Sequence, residues 1–148
     1  MKDSNMDKKT FNKITKEVFL EYGFVKKNQK YFLILQDVSL VLYLGSWRGV
    51  KSFNYYFSIN ELYDSSIPIE QRADTLVEIK MEHNQSAKGY HKHEILFEEY
   101  TEEGYINLLS NMLHSYFDAY KDNAIQFLKD NAYCMCLTQK AKIYLGLA

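Results

Sequence analysis

Proline occurs once in the 148 residues, at Pro68, and cysteine twice, at Cys134 and Cys136. That count excludes a disulfide framework, because the two cysteines stand one residue apart in "AYCMCLT" and a bridge across so short a loop would be strained. A thiolate metal site needs further ligands, and there is no second cysteine pair. The expectation is two buried or half-buried thiols in a reducing compartment. The six glycines are spread without forming a phosphate-cradling loop, and Ser46 beside Trp47 and Arg48 lacks the Gly-x-Ser-x-Gly setting of a nucleophile elbow. No apolar run approaches the ~18 residues that span a bilayer. The N-terminal stretch MKDSNMDKKT lacks the apolar segment of a signal peptide. These absences point to a cytoplasmic chain without a membrane partner.

Charge of one sign is also missing. Lysine and arginine total 18 against 19 acids, for a net charge of -1, and the basic residues are scattered. Binding to a phosphate backbone requires a basic stripe, so nucleic acid is not the expected partner. Arginine occurs only at Arg48 and Arg72, against many Lys, Asn, Ile and Tyr, a bias typical of an A/T-rich bacterial genome.

Aromatic residues, in contrast, are abundant. They make up 16% of the chain and hydrophobic residues 47%, which favours a Tyr- and Phe-rich sheet in one domain of ordinary size. Residues 1–9 are polar and expected to fray. Thr10 is the expected N-cap of a helix over 10–22, since Phe11, Ile14, Val18, Phe19 and Tyr22 recur at helical spacing and Gly23 can end it. Four strands follow, at 24–27, 31–36, 40–47 and 53–62, with turns at 28–30, 37–39 and 48–51. Connections this short make the strands antiparallel neighbours. A helical turn is expected at 69–74. A fifth strand is read from Val77, Ile79 and Met81, and a sixth, edge strand from "HEILFEEY". Tyr105, Leu108, Leu109, Met112, Leu113, Tyr116, Phe117 and Tyr120 form a helical stripe, with a break at 121–123, and a last helix starts near Thr138. Helix, antiparallel meander and helices in that order predict an α+β fold: about five strands, with the helices mainly on one face.

Period-two spacing then divides the sheet. Leu40, Leu42 and Leu44 can share the helix-covered face with Phe53, Tyr55, Phe57 and Ile59. Val41, Tyr43 and Trp47 project the other way, as do Asn54, Tyr56, Ser58 and Asn60. This second face is aromatic and amide-rich. Its candidate binding residues are Tyr43, Trp47, Arg48, Tyr56 and Asn60, suited to a protein or peptide partner, to self-association or to a small-molecule cleft. The alternative is a face that simply meets water, or one that loops fold over.

Catalytic chemistry finds little footing. His91-Lys92-His93 has spacing that puts two imidazoles on one side of a strand, with His83 near in sequence, but histidines in a polar loop are ordinarily solvated. Glu98, Glu99, Glu102 and Glu103 precede the long helix, where they oppose the positive end of its dipole. No catalytic residue, cofactor or metal is expected.

Several residues together resemble a family. The helix ending Gly23-Phe24-x-x-Lys27, the pair Tyr31-Phe32, the strand running into Ser46-Trp47, and Phe53 followed by Tyr56-Phe57-x-x-Asn60 are similar to bacterial proteins grouped as a domain of unknown function (family number four-three-zero-four). The likeness covers residues 10–62, and this chain has Gly45 where the family pattern has a glutamine. It implies a compact α+β domain, with Trp47, Arg48, Tyr56 and Asn60 sharing one surface, and no established activity. Three functions stay open. The first is a non-catalytic binding module using the second sheet face. The second is an immunity-type protein that neutralises a bacterial toxin. The third is a metal-dependent enzyme using His83, His91 and His93.

Overall fold

A computed structural model describes residues 6–47, 50–83 and 92–148, and only the backbone of Trp47. It has an α+β fold. Helix α1 (Lys8–Tyr22) is followed by strands β1 (Val25–Lys27), β2 (Lys30–Ile34), β3 (Val38–Trp47) and β4 (Val50–Ile59), then the short β5 (Ile79–Lys80). The long helix α2 (Glu102–Asn131) and the short α3 (Gln139–Tyr144) complete the chain. The strands form one antiparallel sheet in the order β1-β2-β3-β4-β5, the expected meander.

The register bears out the division into faces. Leu40 pairs with Phe57, Leu42 with Tyr55 and Leu44 with Phe53, so leucines and aromatics share one side. Onto that side pack Phe11, Ile14 and Phe19 of α1 and Leu109, Leu113 and Phe117 of α2. Phe19 meets Tyr31 edge-on at 4.7 Å and Phe53 at 5.2 Å. Buried hydroxyls pair with each other: Tyr105 with Thr15 at 2.6 Å, and Tyr55 with Tyr120 at 3.1 Å. That pairing removes the cost of taking them out of water.

The element ends differ from the sequence reading in instructive ways. The N-cap of α1 is Asp7, whose carboxylate accepts the Thr10 N–H at 2.8 Å. Residues 6–9 do not fray, because Met6 is buried and its N–H bonds the Tyr100 carbonyl. Residues 1–5 lie outside the described residues. Strand β4 stops at Ile59, short of the expected 62. The Ile59 N–H goes to the Asp74 carboxylate at 2.8 Å, and Asn60–Leu62 turn into a single 3-10 turn. Val50 and Lys51, expected in a turn, already pair with Trp47 and Ser46. The expected sixth strand is a single bridge, Lys51 to Ile95, after which Phe97–Glu99 form a 3-10 turn. The expected helical turn after Pro68 is a 3-10 turn at Ile69–Gln71. Both thiols are exposed and free rather than buried. The expected break in the long helix is a kink at Asn123 (φ -156°, ψ 88°), whose side chain accepts the Gln126 N–H and caps the second half. Thr101 and Thr138 cap α2 and α3, and Glu102 and Glu103 occupy the first turn of α2.

Candidate functional site

Residues 60–78 decide what the second face can do. The chain leaves β4, crosses the face and returns along its edge, where the Asp74 N–H bonds the Phe57 carbonyl. Ile69 packs on a small cluster of Phe32, Val41 and Tyr56, with Tyr43 beside it. Tyr56 is left 8% exposed; its hydroxyl accepts from Lys30 Nζ at 3.2 Å and donates to the Glu70 carbonyl at 3.0 Å. A second layer therefore covers the middle of the face that the sequence left as either open or roofed.

Of the candidate binding residues, the three whose side chains are described, Tyr43, Tyr56 and Asn60, do not form one open surface. Tyr43 and Tyr56 are neighbours, with ring centroids 6.3 Å apart. Tyr43 is half-buried; burial first, then the charge and hydrogen bond of Glu78, push its hydroxyl up to about 12. Asn60, at the far end of β4, is committed internally. Its Oδ1 accepts from Ser39 Oγ at 2.7 Å and its Nδ2 donates to the Leu35 and Gln36 carbonyls. Arg48 and the Trp47 side chain lie outside the described residues, as does His91. His83 is buried, with Nε2 2.6 Å from the Glu94 carbonyl, so that nitrogen is already engaged. No cluster of three or more His, Cys, Asp or Glu suited to a metal occurs among the described residues.

Two recesses flank the covering segment and meet at Glu70. The first, about 430 Å³, is apolar and lies between the β1–β2 hairpin and the Pro68-Ile69 turn. Val25, Phe32, Leu33, Ile34 and Ile69 line it, with Lys27 at its rim. Val25 is 64% exposed and Ile34 63%, unusual for aliphatic strand residues. The pairing of Val25 with Phe32 puts both on the second face, together with Ile34 two residues on. The second recess, about 330 Å³, is polar: Lys30, Tyr56, Thr75 and Glu78 line it, and Leu76, 71% exposed, forms part of its wall. Among the described residues the buried Thr75 Oγ1 has no hydrogen-bond partner.

Lys30, Val25, Ile34 and Ile69 were missed as site residues. The period-two spacing of Lys30, Phe32 and Ile34 carries a signal, but assigning it to a face needs the register with β3. The segment carrying Ile69 has no strand periodicity to read.

A third recess, about 380 Å³, lies between α1 and α2 and holds a polar clasp. Tyr22 donates to Asp118 at 2.6 Å, His114 Nδ1 lies 2.9 Å from the same carboxylate, and Lys121 donates to the Tyr22 carbonyl while sitting 3.6 Å above its ring. The Tyr22 bond first, and then His114, hold the Asp118 carboxyl below its usual range. His114 and Asp118 are well exposed, and the cluster fastens the end of α1 to α2.

No family model matches the chain, and neither a curated protein nor a solved structure does.

Proposed function

We propose that this chain is a non-catalytic protein-binding module that works through the second face of its sheet. The observation that carries the reading is the apolar recess beside β1. Leaving Val25 and Ile34 open to water forgoes the roughly 1.5–3 kcal/mol that burial of each side chain would contribute, and contact with a partner recovers it. The aromatic and amide residues behind the recess act as its support: Tyr56 and Asn60 are hydrogen-bonded within the fold and hold β4 and the 60–78 segment in place. We read the chain as a bacterial cytoplasmic protein, in keeping with its two free thiols and its lysine-rich composition.

Capture from a lysate of the native host tests the reading, with wild type and Ile34→Lys immobilised in parallel and the retained proteins identified by mass spectrometry. Ile34 is already exposed, so the substitution should leave the thermal midpoint within about 2 °C, equivalent to ~0.5 kcal/mol. A partner retained by wild type and lost on Ile34→Lys supports the proposal. Equal retention by both proteins overturns it.

A further inference from the structure

The apolar recess opens at an edge of the sheet. Among the described residues, strand β1 has β2 on one side and no strand on the other. The two-residue turn at Asn28-Gln29, with Asn28 at φ 59°, makes Lys27 and Lys30 a hydrogen-bonded pair, and the alternation of an antiparallel ladder makes Val25 and Phe32 the next one. Lys26 therefore turns its N–H and C=O away from β2. Neither group has a backbone partner elsewhere among the described residues. Lys26 and Lys27 stand on this edge, with Glu70 across the recess; Lys30, on β2, faces the second recess, where Glu78 also lies. No carboxylate is ion-paired with any of the three among the described residues. Lys26 lies over the Tyr31 ring and Lys30 over the Tyr43 ring, each at 5.8 Å.

We propose that the partner is an extended acidic segment of another protein, added along β1 as a further strand with one apolar side chain seated in the recess. This rests on the reading of the second face as a protein-binding surface, and it names the chemistry that surface takes. Val25 and Lys27 share the recess face and Lys26 points to the other, so an antiparallel segment reads acid, acid, apolar in chain order. Its apolar residue lies beside Val25, and its acids meet Lys26 and Lys27. A second copy of the chain is the wrong occupant, because two β1 edges brought together set ammonium groups opposite one another.

The test uses two blocked synthetic peptides, acetyl-SEELTS-amide and acetyl-SKKLTS-amide, titrated into the full chain at ~50 mM salt, where rim charges are weakly screened. Binding is read by backbone amide shifts of the chain along the titration. The acidic peptide should bind about tenfold tighter than the basic one. Its shifts should gather at residues 24–34 and 68–70, and its affinity should fall as salt rises. The double variant Lys26→Glu/Lys27→Glu should reverse the preference, while Lys26→Gln/Lys27→Gln should erase it. Both lysines are exposed, so an unchanged thermal midpoint is expected in each. Equal binding of the two peptides, binding unmoved by charge reversal, or no binding of either at millimolar concentration overturns the proposal. Such a failure is distinct from that of the protein-binding reading, which is decided by whether Ile34→Lys loses the native partner.

Discussion

Removing the carboxylate of Asp74 should be among the most damaging single changes in this fold. Asp74 is fully buried and ties three parts of the chain together: Oδ2 accepts the Ile59 N–H at 2.8 Å, while Oδ1 accepts from the Tyr63 hydroxyl at 3.0 Å and from Thr138 Oγ1 at 3.1 Å. Those donors mark the end of β4, the start of the covering segment and the cap of α3. Asp74→Ala orphans the Ile59 N–H and the Thr138 hydroxyl, whereas the Tyr63 hydroxyl keeps the Ala73 carbonyl at 2.9 Å. The buried Ile59 N–H has no access to water, and an unsatisfied buried donor costs ~1–3 kcal/mol; the half-buried Thr138 hydroxyl costs less because it can turn to solvent. With the small cavity added, a loss of about 3–4 kcal/mol follows, which lowers the thermal midpoint by about 10 °C in a chain of this size. Asp74→Asn separates the causes. Its amide keeps one oxygen for the Ile59 N–H and offers N–H groups to two hydroxyls, which can rotate to accept. The cost should then be only about 1 kcal/mol. Thermal and urea unfolding followed by circular dichroism measure both. If the two variants lose equal stability, or if alanine costs under about 1 kcal/mol, the carboxylate is not the fastener that its geometry implies.

Other consequences are open to direct measurement. A Cβ on Gly45 would stand 2.8 Å from Asn54 Nδ2, so Gly45→Ala should cost about 1–2 kcal/mol in urea unfolding, and much less in an Asn54→Ala background; additive costs would show that the amide does not occupy that space. Burial pushes the hydroxyls of Tyr43, Tyr55 and Tyr63 up to about 12 from 10.0. The folded state thus holds protons that the unfolded state releases. Stability should be complete below pH 10 and fall between pH 10 and 12, traced by urea midpoints alongside tyrosinate absorbance. A flat stability curve across that window would contradict the burial of these rings.

Most of the fold is legible in the sequence because periodicity survives without tertiary information. The leucines of β3 and the aromatics of β4 each alternate so regularly that both apolar sets are legible. The register pairing Leu40 with Phe57 puts them on one face, where the helical stripes complete the same core. Element ends are less legible, since they depend on side chains far away in the chain. Nothing local to Ile59 announces that Asp74 will take its N–H. Nor does anything near Met6 announce the Tyr100 carbonyl. The site was harder still. Tyr43 and Tyr56 were correctly placed on the second face, but whether that face is open depends on residues 60–78, which carry neither a 2.0 nor a 3.6 period. The uncovered residues, Val25 and Ile34, sit in short strands whose alternation is legible only once their pairing is known.

The covering segment also sets how stiffness is distributed. Strand β4 has a neighbour on either side, and every residue of it from Phe53 to Ile59 is buried, whichever way its side chain points. Strand β1 has three residues, no buried side chain and, among the described residues, one neighbouring strand. The molecule is thus built like a vessel with a rigid keel and a yielding gunwale. The hairpin at the rim can breathe, open its edge and take on a guest while the keel stays closed to deuterium from the solvent, so a docking event there leaves the framework undisturbed.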